Sequence, residues 1–327
     1  MIVDLPDTTI SEVSKALVRI REEGGAVALG RVLTLVISTV GAAEGAIEAA
    51  KDASREHPMR VIVVTRQPGD DLREARLDAQ IRVGGDAGAS EVIVLSTSGE
   101  LSDDEEGLVT GLLLPDAPVV AWWPGQAPRV PSQSALGRIA QRRITDAAAQ
   151  SDPLVAVHHL AEVYAPGDTD FAWTRLTFWR AQLAAVLDQP PYESITGVRV
   201  SGAPDSASTI LLAAWLRLQL DVDVVQTIDS GAETGSSGIH GVALERASGT
   251  IVLDRNIPNV ATLIQPGQPV HTVSLPQRSL RDCLAEELRR LHPDDLYGRV
   301  LRLGLGMLNE NPDAGGFDSA GGAVHER

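Results

Sequence analysis

Four short runs of aliphatic and β-branched residues, spaced by segments of helical periodicity, constrain this chain more than any other feature. They are Arg31–Thr39 (RVLTLVIST), Arg60–Thr65 (RVIVVT), Glu91–Ser96 (EVIVLS) and Pro118–Trp122 (PVVAW). A strand with one wet face alternates apolar and polar residues. These runs do not alternate, so they need cover on both faces. The segments between them supply it. Gly41–His57 places Ala46, Ile47, Ala50 and Ala53 on one helical face and stops at Pro58. Leu101–Leu113 opens on the acidic run Asp103–Glu106, which suits the positive end of a helix. Ser11–Glu23 is a further amphipathic helix, with Val13, Ala16, Leu17 and Ile20 on its apolar face and Gly24-Gly25 at its end. This succession predicts an α/β domain with a largely parallel sheet flanked by helices. Leu77–Val83 alternates, and is expected at a sheet edge or in an antiparallel pair.

The second half reads as a smaller mixed α/β domain. Trp123–Ser132 carries three prolines and breaks the pattern, helices follow within Ser134–Ala149, and Ala165–Asp170 reads as a boundary. Phe171–Leu187 is expected as one long helix, Ile195–Ser201 as a strand, Ser206–Leu220 as a helix and Asp223–Ile228 as a strand. Gly241–Arg246 and Thr250–Asp254 flank Ala247-Ser248-Gly249, a hairpin signature. Val270–Leu275 reads as a strand, and helices at Ser279–Leu291 and Pro293–Leu303 close the domain. The expected organisation is 1–165, 166–308, and a Gly- and Asp-rich disordered tail at 309–327. A length of 327 residues suits two domains.

Charge excludes whole classes of partner. The net charge is −16, against the local excess of Lys and Arg that phosphate backbones or anionic membranes require. Neither nucleic acid nor a membrane is expected as partner. No run approaches the roughly 18 apolar residues of a membrane span, and the N-terminus MIVDLPDTTISEV lacks the basic-then-apolar pattern of a secretion signal. The expected compartment is the cytoplasm. Cys283 is the sole cysteine, so an internal disulfide is impossible. It lies among Leu280, Leu284, Leu288 and Leu291 and reads as a packing residue.

The chain offers few candidate sites. Gly202–Ser208 (GAPDSAS) follows a strand and opens a helix. Gly202, Ser206 and Ser208 there form either an anion cradle or an ordinary helix cap by Asp205 or Ser206. The spacing matches neither a P-loop nor GxGxxG. Gly84–Ser90 (GGDAGAS) leads into a strand and reads as a tight turn. His158-His159 with Glu162 offers too few ligands for a metal, and HExxH spacing is absent. No GxSxG occurs, Gly235–Gly238 reads as a flexible loop, and no nucleophile, base and oxyanion donor come together. No cofactor is expected.

The five Trp, three Tyr and three Phe are unevenly placed. Phe171, Trp173, Phe178 and Trp179 fall with Arg175 and Arg180 in FAWTRLTFWR. On one continuous helix, Trp173 and Arg180 lie two turns apart on a shared face. Trp122-Trp123 ends a strand, where successive side chains point opposite ways, so one indole is expected in the core and the other exposed. Trp and Arg anchor protein interfaces. Trp122, Trp123, Trp173, Arg175 and Arg180 are therefore candidate partner contacts as well as candidate core.

Several of these strings together resemble one family. LDAQIRVGGDAGASEVIVL, LLLPDAPVVAWWPG, LGRIAQRRITDAA, PGDTDFAWTRLTFWR and the N-terminal VSKALVRIREEGGAVALGRVLTLVI are similar to the matching stretches of actinobacterial glucose-6-phosphate dehydrogenase assembly proteins (the OpcA family), from about residue 1 to about residue 305. The resemblance implies a non-catalytic partner that promotes the active oligomer of glucose-6-phosphate dehydrogenase and so supports NADPH supply through the oxidative pentose phosphate pathway. It supplies no catalytic residues. Cyanobacterial relatives are associated with thiol-dependent control, which a chain with Cys283 alone cannot exert through an internal disulfide. Two other readings stay open: a sugar-phosphate-binding enzyme and a metabolite-sensing module, each built on the Gly202–Ser208 turn.

Overall fold

The apolar runs become the centre of an eight-stranded sheet. The computed structural model describes residues 1–23, 30–66, 74–87, 90–228 and 238–309. Residues 310–327 of the expected tail, 235–237 of the expected flexible loop and 88–89 of the expected tight turn lie outside them. The strands are β1 (Ile2–Leu5), β2 (Leu33–Val40), β3 (Met59–Arg66), β4 (Arg76–Arg82), β5 (Glu91–Ser98), β6 (Val119–Trp122), β7 (Arg142–Thr145) and β8 (Asp168–Asp170), in spatial order β1-β4-β5-β3-β2-β6-β7-β8. From β5 to β8 every neighbouring pair is parallel. The alternating strand β4 pairs antiparallel with β5, as its pattern allows, and β1 covers its other edge.

Helices cover both faces, as continuous apolar strands require. α1 (Ile10–Glu23), α3 (Glu105–Thr110) and α4 (Ala135–Ile139) lie on one side, where Val13, Leu17, Leu108, Val109 and Leu136 pack with Val36, Ile62 and Ile93 of the strands. α2 (Glu44–Ala53) and α9 (Leu280–Arg289) lie on the other, where Ile47, Ala50, Leu284 and Leu288 meet Leu35, Ile37, Val61 and Val63. Adjacent residues of β2 and β3 thus feed opposite cores. Each large side chain so buried contributes about 1.5–3 kcal/mol.

The chain forms two compact units. One is Met1–Thr177 with Gln277–Gly298; the other is Phe178–Pro276 with residues from Arg299 onward. The Ala165–Asp170 stretch, expected as a boundary, supplies β8, whose three residues are all buried. β7 falls where helix was expected. Its arginines are held by distant partners. Arg142 pairs with Glu287 and donates to the His292 carbonyl, while Arg143 pairs with Asp168 and donates to the Ala140 carbonyl. The expected long helix is broken into α6 (Phe171–Thr174) and α7 (Thr177–Leu187). The Thr174 carbonyl accepts from Arg278 and from the Thr177 hydroxyl, which replaces continuation of the helical ladder.

The second unit carries a six-stranded sheet in the order β10-β9-β11-β12-β13-β14. Its strands are β9 (Gly197–Gly202), β10 (Val224–Ile228), β11 (Ile239–Glu245), β12 (Ile251–Ile257), β13 (Val260–Ile264) and β14 (His271–Ser274). β9 and β10 are parallel, joined through α8 (Ala207–Leu220), and the remaining pairs are antiparallel. The expected hairpin is β11–β12, with Gly249 at φ +119° in its turn. Gly304 lets the closing helical segment approach α8, since a Cβ there would stand 2.6 Å from the Ala214 carbonyl oxygen.

Candidate functional site

The six parallel strands start at the middle of their sheet. In chain order they are β2, β3, β5, β6, β7 and β8, so their spatial order is 3-2-1-4-5-6, that of a doubly wound sheet. The order reverses between β2 and β6, where the following helices leave to opposite faces: α2 to one core, α4 to the other. Such a divergence opens a crevice at the carboxyl ends of the strands, the usual place for a ligand in open α/β sheets.

A cavity of about 390 Å³ lies there. Strand ends supply Ser38, Arg66 and Thr97, the start of α3 supplies Glu105, and the segments beyond the strands supply Ser102, Asp103, Trp123, Gln126 and Arg129. The Ser38 hydroxyl donates to Glu105 Oε1. Burial pushes the Glu105 carboxyl above the usual carboxylate range, while the Ser38 hydrogen bond and the Arg66 charge pull the other way. The Ser102 hydroxyl donates to Thr97 Oγ1 at 3.2 Å, and both residues are buried. His159 Nε2 lies 2.6 Å from the Arg129 carbonyl oxygen and fixes the loop that carries Arg129.

A doubly wound sheet raises the question of a dinucleotide, and the first turn answers it. That turn reads Gly41-Ala42-Ala43-Glu44-Gly45, without the G-x-G-x-x-G spacing that lets backbone approach a pyrophosphate. Gly41 has φ +82°, and its backbone is tied to β3: its N–H donates to the Arg66 carbonyl and its carbonyl accepts from Thr65 Oγ1. Glu44 puts a carboxylate in the first turn of α2, where a pyrophosphate would need positive potential, and Arg82 holds it there. These residues do not fit a dinucleotide.

A second polar cluster sits at the ends of β7 and β8. Asp170 is fully buried and accepts from Thr145 Oγ1 and from the N–H groups of Ala147 and Ala172. Asp146 holds Arg175 through two bonds of 2.7 Å. Burial, then the neighbouring Asp146 charge, raise the Asp170 carboxyl to about 6. The hydrogen bonds of Asp170 cap α6 and tie the β7 and β8 ends together, which is structural work. Among the described residues no group of three or more His, Cys, Asp or Glu side chains is placed to hold a metal ion, and no helix is long and apolar enough to cross a membrane.

The sequence-nominated residues scatter. Trp122 and Trp123 do point to opposite faces, but both are buried, because both faces are covered. Trp122 packs on Phe171 with ring centroids 5.5 Å apart; Trp123 forms one wall of the crevice. Trp173 is buried, 5.7 Å from the Tyr297 ring, and its Nε1 donates to Asp294. Arg175 is held by Asp146, and the break between α6 and α7 removes the single continuous helix on which Trp173 and Arg180 were expected to share a face. In the second unit, the Ser206 hydroxyl accepts from the Thr209 N–H and caps α8, with Ser208 in its first turn. A Cβ on Gly202 would meet Thr209 Oγ1 at 2.3 Å, so this glycine serves close packing. Ser38, Arg66 and Glu105 escaped notice because strand order, which a sequence does not carry, is what brings them together.

Two family models match the chain. One, described as the glucose-6-phosphate dehydrogenase subunit N-terminal domain, covers residues 50–162; the other, the C-terminal domain of the same subunit, covers 166–301. No curated protein matches it. Among solved structures it is similar to an oxidoreductase from Sinorhizobium meliloti, with TM-score 0.44, 11% identity, and 84% of this chain and 97% of that one covered. It is also similar to a myo-inositol dehydrogenase from Lactobacillus casei, with TM-score 0.39, 11% identity, and 86% and 95% covered. Scores this low carry no argument about this chain.

Proposed function

The chain belongs to the glucose-6-phosphate dehydrogenase assembly (OpcA) family, and from that premise we propose that it acts as a non-catalytic cytoplasmic partner of that dehydrogenase, favouring its active oligomer. The observation that carries the reading is the match of both domains of one subunit, in order, over most of the chain. The doubly wound sheet supports it by what its first turn lacks: Ala43 and Glu44 stand where a dinucleotide enzyme would need bare backbone and positive potential.

The physics of such a role is differential binding. A partner that binds only the active assembly state stabilises it by its affinity difference for the two states. A tenfold difference is worth about 1.4 kcal/mol. The proposed partner contacts are Trp122, Trp123, Trp173 and Arg175 in the first unit and Arg180 in the second. With the three indoles buried and Arg175 engaged by Asp146, the surface offered to a partner comes from the partly exposed side chains of Arg175 and Arg180.

The test mixes this protein with the dehydrogenase of its own source and follows activity and particle mass. The expected result is a rise in both; no change in either overturns the reading. If Trp123→Ala and Arg180→Ala proteins still co-purify with the dehydrogenase and activate it fully, the proposed contacts are wrong.

A further inference from the structure

The crevice between β2 and β6 has a chemical character that the assembly role does not use. We propose that it binds a phosphorylated sugar, free or as part of a nucleotide, and so makes this chain a ligand-binding protein in its own right.

Size and place come first. A volume of about 390 Å³ lies within the range of small-molecule sites, roughly 300–1,000 Å³, and it occurs at the strand-order reversal where open α/β sheets bind ligands. The lining then selects the class. Ser38, Thr97 and Ser102 offer hydroxyls that donate and accept, and Glu105 offers a carboxylate beside them. These groups already pair with one another, yet a hydroxyl and a carboxylate each keep acceptor capacity, which a ligand rich in hydroxyl groups can use and an apolar one cannot. Trp123 gives a flat apolar wall for the C–H face of a ring. Arg66 and Arg129 bring two guanidinium groups to the same space, and guanidinium recognises phosphate oxygens by paired hydrogen bonds. Asp103 adds a second carboxylate, and Thr39 and Gln126 add a further hydroxyl and an amide; hydroxyl, amide and carboxylate groups suit the sugar, and the two guanidinium groups suit the phosphate.

The guanidinium groups set the orientation. Glu44, ion-paired with Arg82 at the start of α2, lies outside the lining, whereas Arg66 and Arg129 lie within it and would receive the phosphate. The carboxylate nearer the ring is Glu105, whose burial and Ser38 bond hold it in place before any ligand arrives. Trp123 belongs both to this lining and to the proposed partner contacts, but ligand binding by the chain alone is measured without the dehydrogenase, so its failure and that of the assembly reading are distinguishable.

The experiment is calorimetric titration of the full chain with ribose 5-phosphate, glucose 6-phosphate and AMP, and with inorganic phosphate and free glucose as half-ligand controls. Saturable binding of at least one phosphorylated sugar or of AMP, tighter than either control, is the expected result. Whether the sugar phosphates or AMP bind more tightly decides between the free and the nucleotide form. Arg66→Ala and Glu105→Gln, each checked for an unchanged thermal midpoint, are expected to weaken binding by about tenfold, the loss of one charge-assisted hydrogen bond. Ser38→Ala, which leaves every charge in place, is the reserve variant should either of these fail to fold. Absence of saturable binding of all three ligands at 10 mM, roughly 2.7 kcal/mol of affinity, overturns the proposal. So does binding that every folded variant leaves unchanged, since the ligand then sits elsewhere.

Discussion

Replacing Glu287 by glutamine should loosen the hold of α9 on the first unit's sheet. Glu287 and Arg142 form an ion pair in which both side chains are almost wholly buried, and Thr174 Oγ1 donates to the other Glu287 oxygen. One carboxylate thus joins α9 to β7 and α6, whose contact residues lie 145 and 113 residues away in the chain. Removing one partner of a buried pair leaves the other charge desolvated without compensation, at about 3–5 kcal/mol. Glutamine keeps an oxygen for one donor, and Arg142 keeps the His292 carbonyl, so the lower end, about 3 kcal/mol, is expected. For a unit of this size 1 kcal/mol moves the midpoint by about 2–4 °C, which gives a fall of about 6–12 °C. Calorimetry of the full chain measures it. The double variant Arg142→Met, Glu287→Leu should recover most of the loss, because apolar groups of similar volume need no counter-charge. A midpoint within about 2 °C of wild type for Glu287→Gln refutes the reasoning, as does a double variant worse than either single one.

Two further perturbations read buried groups directly. Burial raises the Cys283 thiol to about 12, so at pH 8 an alkylating reagent should label the native chain about a thousandfold more slowly than a free thiol, and rapidly in guanidinium chloride; fast native labelling would show a thiol open to redox control. Burial raises the Asp170 carboxyl to about 6 in the folded chain, against 3.8 for a free aspartate, so between these values the native state binds more protons than the unfolded one, and its contribution to stability, full below about pH 3.8, falls as pH rises through 6. The stability of wild type minus that of Asp170→Asn, measured by urea unfolding from pH 4 to 7.5, should therefore decline through this window and then level off; a rise would reverse the assignment.

The parts of the fold that were legible are those whose stability is local and apolar. β2, β3, β5 and β6 announce themselves by unbroken aliphatic runs, and the β11–β12 hairpin by the glycine its turn requires. The illegible strands are polar. β7 reads Arg-Arg-Ile-Thr and β8 reads Asp-Thr-Asp, and no hydrophobic pattern marks either. They are strands because Arg142 meets a carboxylate 145 residues away and Arg143 one that is 25 away, and such partners are invisible to a window of a dozen residues. The break between α6 and α7 was hidden in the same way, since its cause includes Arg278, about a hundred residues on. The two compact units divide near Thr177, whereas the family's two domain models divide between 162 and 166. β8 and α6 lie in that interval, and the Arg143–Asp168 ion pair and the Thr174–Glu287 hydrogen bond keep them with the first sheet.

The candidate site was illegible for a different reason, which bears on how such a chain comes to bind anything. A crevice at a strand-order reversal follows from topology: the helices after β2 and β6 must leave to opposite faces, whatever residues line the gap. What the lining binds is set by a handful of strand-end side chains that play no part in either core. A sequence can therefore keep the doubly wound sheet while changing its ligand. Here the turn after β2 carries Ala43 and Glu44 in place of bare backbone, while Ser38, Thr97 and Glu105 crowd the strand ends with hydroxyls and a carboxylate. The changes act in opposite directions on two ligand classes. Restoring glycine at 43 and 44 would remove the repulsive charge but leave the hydroxyl-lined pocket unaltered. Removing Glu105 would empty that pocket of its fixed acceptor without creating a pyrophosphate cradle. The two halves of the crevice are thus separable by mutation. A Glu44→Gly protein should keep its phosphorylated-sugar affinity within about threefold, because that residue never faces the sugar, whereas Glu105→Gln should lose about tenfold. Equal losses in the two variants would mean that the turn and the strand ends form one site, and that the orientation assigned to the phosphate is wrong.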